Sequence, residues 1–221
     1  MHRQGLAAAV AVADVLLAGS RAPWARRARW VTKPALVPAI AAAVPARPPA
    51  LALGASWAGD VALLSRSDAG LLGGIAGFAV AHAAYLTRIF GLGPAGSDRP
   101  DPAGPAIRWP VEAAAGAAVW AAAGHVLWRR LDTDAERRLR LPVLGYAALV
   151  TAMGAAAVRA GRRRRDPALA AGGVVFVVSD GLVAASLFGP QKPAVDAAVM
   201  ATYAAAQTLL ARALATGGVT S

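Results

Sequence analysis

Apolar residues run in blocks along this chain, and the short gaps between blocks hold most of its charge. A helix that crosses a bilayer needs about 20 predominantly apolar residues, within a range of about 17–25. Eight blocks approach that length: 4–20, 31–46, 48–65, 69–91, 107–128, 141–160, 166–188 and 193–214. The pattern predicts an all-α, polytopic membrane bundle of about eight transmembrane helices. Almost nothing remains for a soluble domain, so residues 1–221 read as a single integral membrane domain. Alanine and glycine recur in every block, and such small side chains let transmembrane helices approach closely.

The block edges carry their own signals. Pro34, Pro110, Pro142, Pro167 and Pro193 fall near block starts, where the missing N–H of proline costs nothing. Trp24, Trp30, Trp109 and Trp128 sit near predicted ends, as interfacial anchors do. Gly91 to Pro105 is rich in Gly, Pro and Asp and reads as an exposed loop. The N-terminus, Met1-His-Arg-Gln followed by an apolar run and Ala18-Gly-Ser, has the outline of a signal peptide. Asp14 inside that run, and the hydrophobic blocks behind it, favour a retained first helix instead.

A weak internal echo suggests two four-helix halves. Asp60 in block three is followed 22 residues later by His82 in block four, and Asp180 in block seven 23 residues later by Tyr203 in block eight. Sites in repeat-built membrane proteins often lie where the halves meet.

Composition agrees with the membrane reading. The chain is 57% hydrophobic and 16% charged, against about 25% charged in soluble domains. It has no cysteine, which excludes disulfides, thiolate metal sites and a cysteine nucleophile. A net charge of +11 raises the question of nucleic acid. The cations sit in gaps between apolar blocks, where membrane proteins keep them, so no nucleic-acid partner is expected. Arginine over lysine, with abundant alanine, points to a GC-rich genome, hence a bacterial source and a multi-pass protein of the bacterial plasma membrane. The gaps on alternate sides hold 12 and 11 cations, so the positive-inside rule sets no orientation. An even number of crossings puts both termini on one side.

Against this background the polar residues inside blocks are few. Asp60 and Asp180 fall mid-block, where a carboxylate costs roughly 2.5–3.5 kcal/mol on insertion scales. Thr32 and Lys33 open block two, and Ser56 precedes Asp60 by one turn. His82 and Tyr85 share a helix face in block four. Tyr146 and Thr151 lie in block six, Ser179 beside Asp180, and Tyr203 and Gln207 one turn apart in block eight. Plainer accounts exist for several. Glu112, His125 and Asp196 lie near block ends and read as interfacial. Lys33 at a helix start can snorkel to headgroups, His82 can be a satisfied core histidine, and Ser179 can bond its own helix backbone.

Metal chemistry finds little support. Three histidines occur in all, none in a His-x-x-x-His or His-Glu-x-x-His spacing, so a zinc site would need an unusual ligand set. No metal and no cofactor is expected. No Gly-x-Ser-x-Gly elbow or phosphate-cradling glycine loop is present. The remaining engine is the pair of carboxyls, one neutral as an acid and one ionised.

Thr32-Lys-Pro-Ala-Leu-Val-Pro38, Gly59-Asp60-Val-Ala-Leu-Leu64, Gly77-Phe-Ala-Val-Ala-His82-Ala-Ala-Tyr85, Phe176-Val-Val-Ser-Asp180 and Tyr203-Ala-Ala-Ala-Gln207 occur in that order. In this the chain resembles the YhhN-like membrane proteins, a family that includes the animal lysoplasmalogenases. The resemblance runs from block two to block eight and omits the Arg159–Arg165 cluster and the long loop. It implies an eight-span hydrolase of the vinyl ether bond of lysoplasmalogens, or of a related lysophospholipid or ether lipid. It also implies Asp60 and Asp180 as the catalytic pair, with the acid between them undecided. Lys33 would hold one aspartate ionised or bind the phosphate, and His82, Tyr85, Ser179, Tyr203 and Gln207 would orient the pair and the headgroup. Two rivals stand beside it. One is a transporter with the aspartates as proton or cation sites, which broken helices would favour and prolines at block starts disfavour. The other is a non-catalytic lipid-binding protein whose aspartates only pair with Lys33.

Overall fold

The structure, a computed structural model, describes residues 2–65, 67–92, 110–133, 137–190 and 192–215. Most of the expected loop (residues 93–105), the anchor at Trp109, and Arg66, Arg99 and Arg108 lie outside the described residues.

Among the described residues there are eight α-helices and no strand: α1 (His2–Ala18), α2 (Pro23–Ala43), α3 (Ala50–Leu63), α4 (Asp68–Phe90), α5 (Pro110–Arg130), α6 (Arg140–Arg164), α7 (Pro167–Leu187) and α8 (Pro193–Ala213). Four of them, α4, α6, α7 and α8, are long and apolar enough to cross a membrane by themselves. The remaining helices are shorter or less apolar over a full span. The surface is inverted relative to a water-soluble fold. Leu6, Val12, Leu16, Val31, Leu51, Leu72, Val80, Val119, Leu141 and Val174 point outward, whereas Asp14, Ser56, Asp60, His82, Ser179 and Gln207 are buried. Polar groups turned inward and apolar groups turned outward are what a hydrocarbon solvent selects, and they mark an integral, multi-pass membrane protein.

The expected blocks match the helices closely, with one correction. The sequence pattern starts block two at residue 31, but α2 begins eight residues earlier, at Pro23. The arginine-rich stretch Trp24–Arg29 that reads as a gap is two turns of helix, opened by a proline at its first position. Trp30 and Lys33 are therefore mid-helix rather than terminal, and Pro34 and Pro38 lie inside the helix. Pro34 and Pro38 each remove one helical hydrogen bond, and Pro38 has no N–H to give the carbonyl of Pro34. The indole of Trp57 on α3 donates to that carbonyl instead, at 3.0 Å. The repair ties α2 to α3 beside Lys33.

The helices form a closed ring in which α1, α2, α3, α4, α6, α7 and α8 each pack on the next and α8 packs back on α1; α2 also touches α8. Helix α5 stands outside this ring and packs on α6. In chain order the ring can be described as two arcs, α1–α4 and α6–α8, with α5 outside them. Close approach within each arc depends on glycine. A Cβ on Gly77 of α4 would lie 2.8 Å from the Cα of Gly59 on α3, and one on Gly173 of α7 would lie 2.5 Å from the Cβ of Ala157 on α6. Turns are capped conventionally: Ser67 accepts from the amide of Gly70, and Asp166 from that of Leu169. Arg165, between α6 and α7, is left-handed at φ 56°. The Asp166 amide returns to the carbonyl of Gly161 at 2.8 Å, which closes a Schellman turn.

Candidate functional site

A cavity of about 90 Å³ opens among α2, α3, α4, α6, α7 and α8, with room for several waters. Leu71, Ile75, Phe78, Val143, Val183, Leu187 and Met200 make its walls apolar. It lies in the half of the bundle where α3 and α7 end and α4, α6 and α8 begin. Six polar side chains line it, one of them a cation: Lys33, Asp60, Tyr146, Ser179, Asp180 and Tyr203. The two aspartates singled out in the sequence therefore share one chamber.

Their partners follow a crossed pattern. Asp60 on α3 has the Lys33 ammonium of neighbouring α2 at 3.3 Å from Oδ1. From across the ring, Tyr203 of α8 donates its hydroxyl to Oδ2 at 2.6 Å. Asp180 on α7 accepts the hydroxyl of Tyr146 from neighbouring α6 at 2.6 Å. From across the ring, His82 of α4 brings Nε2 to 3.8 Å from Oδ2. Each carboxyl thus has one partner from its own arc and one from the other. The echo between His82 and Tyr203 in the sequence has this geometric counterpart.

Behind the chamber runs a buried relay. Tyr85 donates to Oε1 of Gln207 at 2.6 Å, and Nε2 of Gln207 donates to the hydroxyl oxygen of Tyr203 at 3.1 Å. Tyr203, so fixed, donates to Asp60. Tyr85 and Gln207 do not line the cavity; their hydrogen bonds hold Tyr203, and through it Asp60. His82 is also behind the wall, edge-on to Phe176 at 4.6 Å and to Tyr146 at 5.6 Å between ring centroids. Ser179 lines the cavity and donates to the carbonyl of Val199 on α8 at 3.3 Å, rather than to its own helix. Among the described residues two buried side-chain polar atoms have no hydrogen-bond partner, Ser56 Oγ and His82 Nε2.

Other sequence candidates fall elsewhere. Asp14 is fully buried, and it accepts from Thr32 at 2.6 Å and from Nε of Arg29 at 3.2 Å. This bond pattern pins α1 to the turn of α2 that carries Lys33. Glu112 pairs with Arg162 at 3.3 Å near the ends of α5 and α6. Asp196 accepts the hydroxyl of Ser186, and His125 is exposed on α5. All three keep the peripheral positions expected of them. Tyr146 is the site residue that sequence reasoning left without a role. Its only sequence signal is a phenol in an apolar block, and its partner is 34 residues away. No group of three His, Asp or Glu side chains suited to a metal ion occurs among the described residues.

Comparison with curated proteins and with solved structures gives no match. A family model described as the YhhN family matches residues 28–214. The matched span holds every side chain of the chamber, from Lys33 to Tyr203, together with the Tyr85–Gln207 relay, and omits only α1, the first turns of α2 and the C-terminal end. On that match the chain belongs to the YhhN family.

Proposed function

We propose that this protein is an intramembrane hydrolase of the lysoplasmalogenase type, with eight crossings of a bacterial plasma membrane. It would cleave the vinyl ether bond of a lysoplasmalogen, or of a related lysophospholipid, to a fatty aldehyde and a glycerophospho-alcohol. The observation that carries the reading is the shared chamber: two carboxyls, each held by a phenol, face one apolar-walled cavity. Family membership supports it, since the YhhN family includes lysoplasmalogenases.

The chemistry needs little else. A carboxylic acid protonates the β-carbon of the vinyl ether, and the electron pair of the double bond forms the new C–H bond. The resulting oxocarbenium ion is stabilised by the adjacent carboxylate, as in glycoside hydrolysis. Water adds to the α-carbon and gives a proton to a carboxylate. The hemiacetal then breaks its C–O bond, the hydroxyl proton passes to the leaving glycerol oxygen, and the acid is restored. The alkenyl chain lies along the apolar wall, and Lys33 balances the negative charge of Asp60.

The test is aldehyde release from lysoplasmenylethanolamine by purified protein, compared with Asp60→Asn and Asp180→Asn. General acid–base groups contribute about 10²–10⁴-fold, and a loss of that order is expected in each variant. Absence of aldehyde from folded wild type refutes the substrate class, and an active variant removes its residue from the chemistry.

One observation favours a second reading. Pro34 and Pro38 lie inside α2 next to Lys33, and proline-interrupted helices at mid-membrane ion sites are a transporter feature. Proton- or cation-coupled uptake in proteoliposomes, with no aldehyde formed, is its signature.

A further inference from the structure

The two aspartates of the chamber stand in opposite electrostatic settings. Both polar groups paired with Asp60 favour its anion: an ammonium at 3.3 Å and a phenol that donates. Asp180 has no lysine or arginine paired with it among the described residues. Facing it are the Tyr146 hydroxyl from α6 and the His82 ring from α4. The other charged groups of the chamber, Asp60 and Lys33, neutralise one another.

The His82 ring has a defined tautomer. Its Nδ1 lies 2.6 Å from the carbonyl oxygen of Phe78. That oxygen can only accept, so Nδ1 carries a hydrogen and the neutral ring has a bare lone pair on Nε2. This nitrogen is buried and unpartnered, and it is aimed at Oδ2 of Asp180 from 3.8 Å. An ionised carboxylate there would set lone pair against lone pair. One proton between the two groups removes the conflict, and a closure of about 1 Å makes a hydrogen bond. Between Phe176, Phe78 and Tyr146, a neutral carboxylic acid with neutral imidazole costs less than a separated ion pair.

We propose that Asp180 is the proton donor of the reaction, and that His82 is the positioning residue that keeps it in its acid form while Lys33 keeps Asp60 ionised. The catalytic meaning rests on the hydrolase reading; the protonation asymmetry does not. Asp180 delivers its proton to the β-carbon and is left as the anion beside the new cation. The proton released by the added water restores Asp180, directly or through Asp60. His82 neither touches the substrate nor leaves the neutral state.

Two spectroscopic measurements on the whole protein in detergent micelles test this, independently of turnover. The first is infrared detection of a protonated carboxyl stretch at neutral pH. It is expected in wild type and Asp60→Asn, absent from Asp180→Asn, and strongly weakened in His82→Phe. The second is ring-¹⁵N NMR of a His2→Asn, His125→Asn background, in which His82 is the sole histidine. It is expected to show a protonated Nδ1 and a bare Nε2, and it needs no substitution in the chamber. His82→Gln, which restores an acceptor near the Nε2 position, is expected to retain the carboxyl band and most aldehyde release. His82→Phe is expected to lose roughly 100-fold in kcat with little change in KM. A band that follows Asp60, no band at all, or an imidazolium signal overturns the proposal. A correct band without aldehyde release would instead retire the substrate class and leave the asymmetry standing.

Discussion

Replacing Lys33 by methionine isolates the electrostatics of the chamber. The lysine side chain is 12% exposed and that of Asp60 3%, with 3.3 Å between Nζ and Oδ1. At that distance, and an effective dielectric of about 20, the attraction between unit charges is about 5 kcal/mol. Part of this only offsets the cost of taking both ions out of water, so the net contribution of the pair is far smaller. Removing one partner is different, because it strands the other charge, and broken buried pairs typically cost about 3–5 kcal/mol. The Tyr203 hydroxyl still donates to Asp60, which places Lys33→Met at the lower end, about 3 kcal/mol. Lys33→Met/Asp60→Asn has neither charge and is expected within about 1 kcal/mol of wild type. The assay is equilibrium unfolding in mixed micelles for wild type, both single variants and the double. A double variant less stable than either single one, with additive losses, would refute the reasoning and show that Lys33 and Asp60 act separately.

Four further outcomes follow from the geometry. Tyr146→Phe removes the hydroxyl that Asp180 accepts and is expected to lower aldehyde release about tenfold, with unfolding measured in parallel. Gly77→Ala sets a methyl against the backbone of Gly59 and is expected to destabilise by about 1–3 kcal/mol, read as a lowered unfolding midpoint. Trp57→Phe leaves the Pro34 carbonyl without its N–H and is expected to cost about 1–3 kcal/mol by the same measurement. Arg165→Gly relieves a left-handed residue in an open turn and is expected to raise stability by about 1 kcal/mol.

Much of the fold was legible because a bilayer imposes one simple pattern, long apolar blocks with charged gaps. The exception is instructive. Arg26, Arg27 and Arg29 disguise the start of α2, although Pro23 just before them carries the proline signal of a first turn. Asp60 and Asp180 were legible because charge in hydrocarbon is costly wherever it occurs. Tyr146 was not, since a phenol costs little and only the packing of α6 on α7 brings it to Asp180. Asp14 reads as isolated on its own helix, yet its partners are Arg29 and Thr32 on the next. The outward position of α5 has no signature in its residues, which are mostly alanine and other apolar types between a charged first turn and a charged last turn.

The ring has an uneven covalent wiring. Five of its seven joints are short turns, at residues 19–22, 44–49, 64–67, 165–166 and 188–192. The joints between α4 and α6 and between α8 and α1 have none: α5 intervenes in the first outside the ring, and the second pairs the first and last helices of the order. The ring is thus two stapled blades, α1–α4 and α6–α8, that meet through side-chain packing and through hydrogen bonds such as Tyr203 to Asp60 and Tyr85 to Gln207. Asp60 belongs to one blade and Asp180 to the other. The gap between the carboxyls is therefore the coordinate that the backbone controls least, and Tyr203 and His82, reaching across in opposite directions, are the struts that set it.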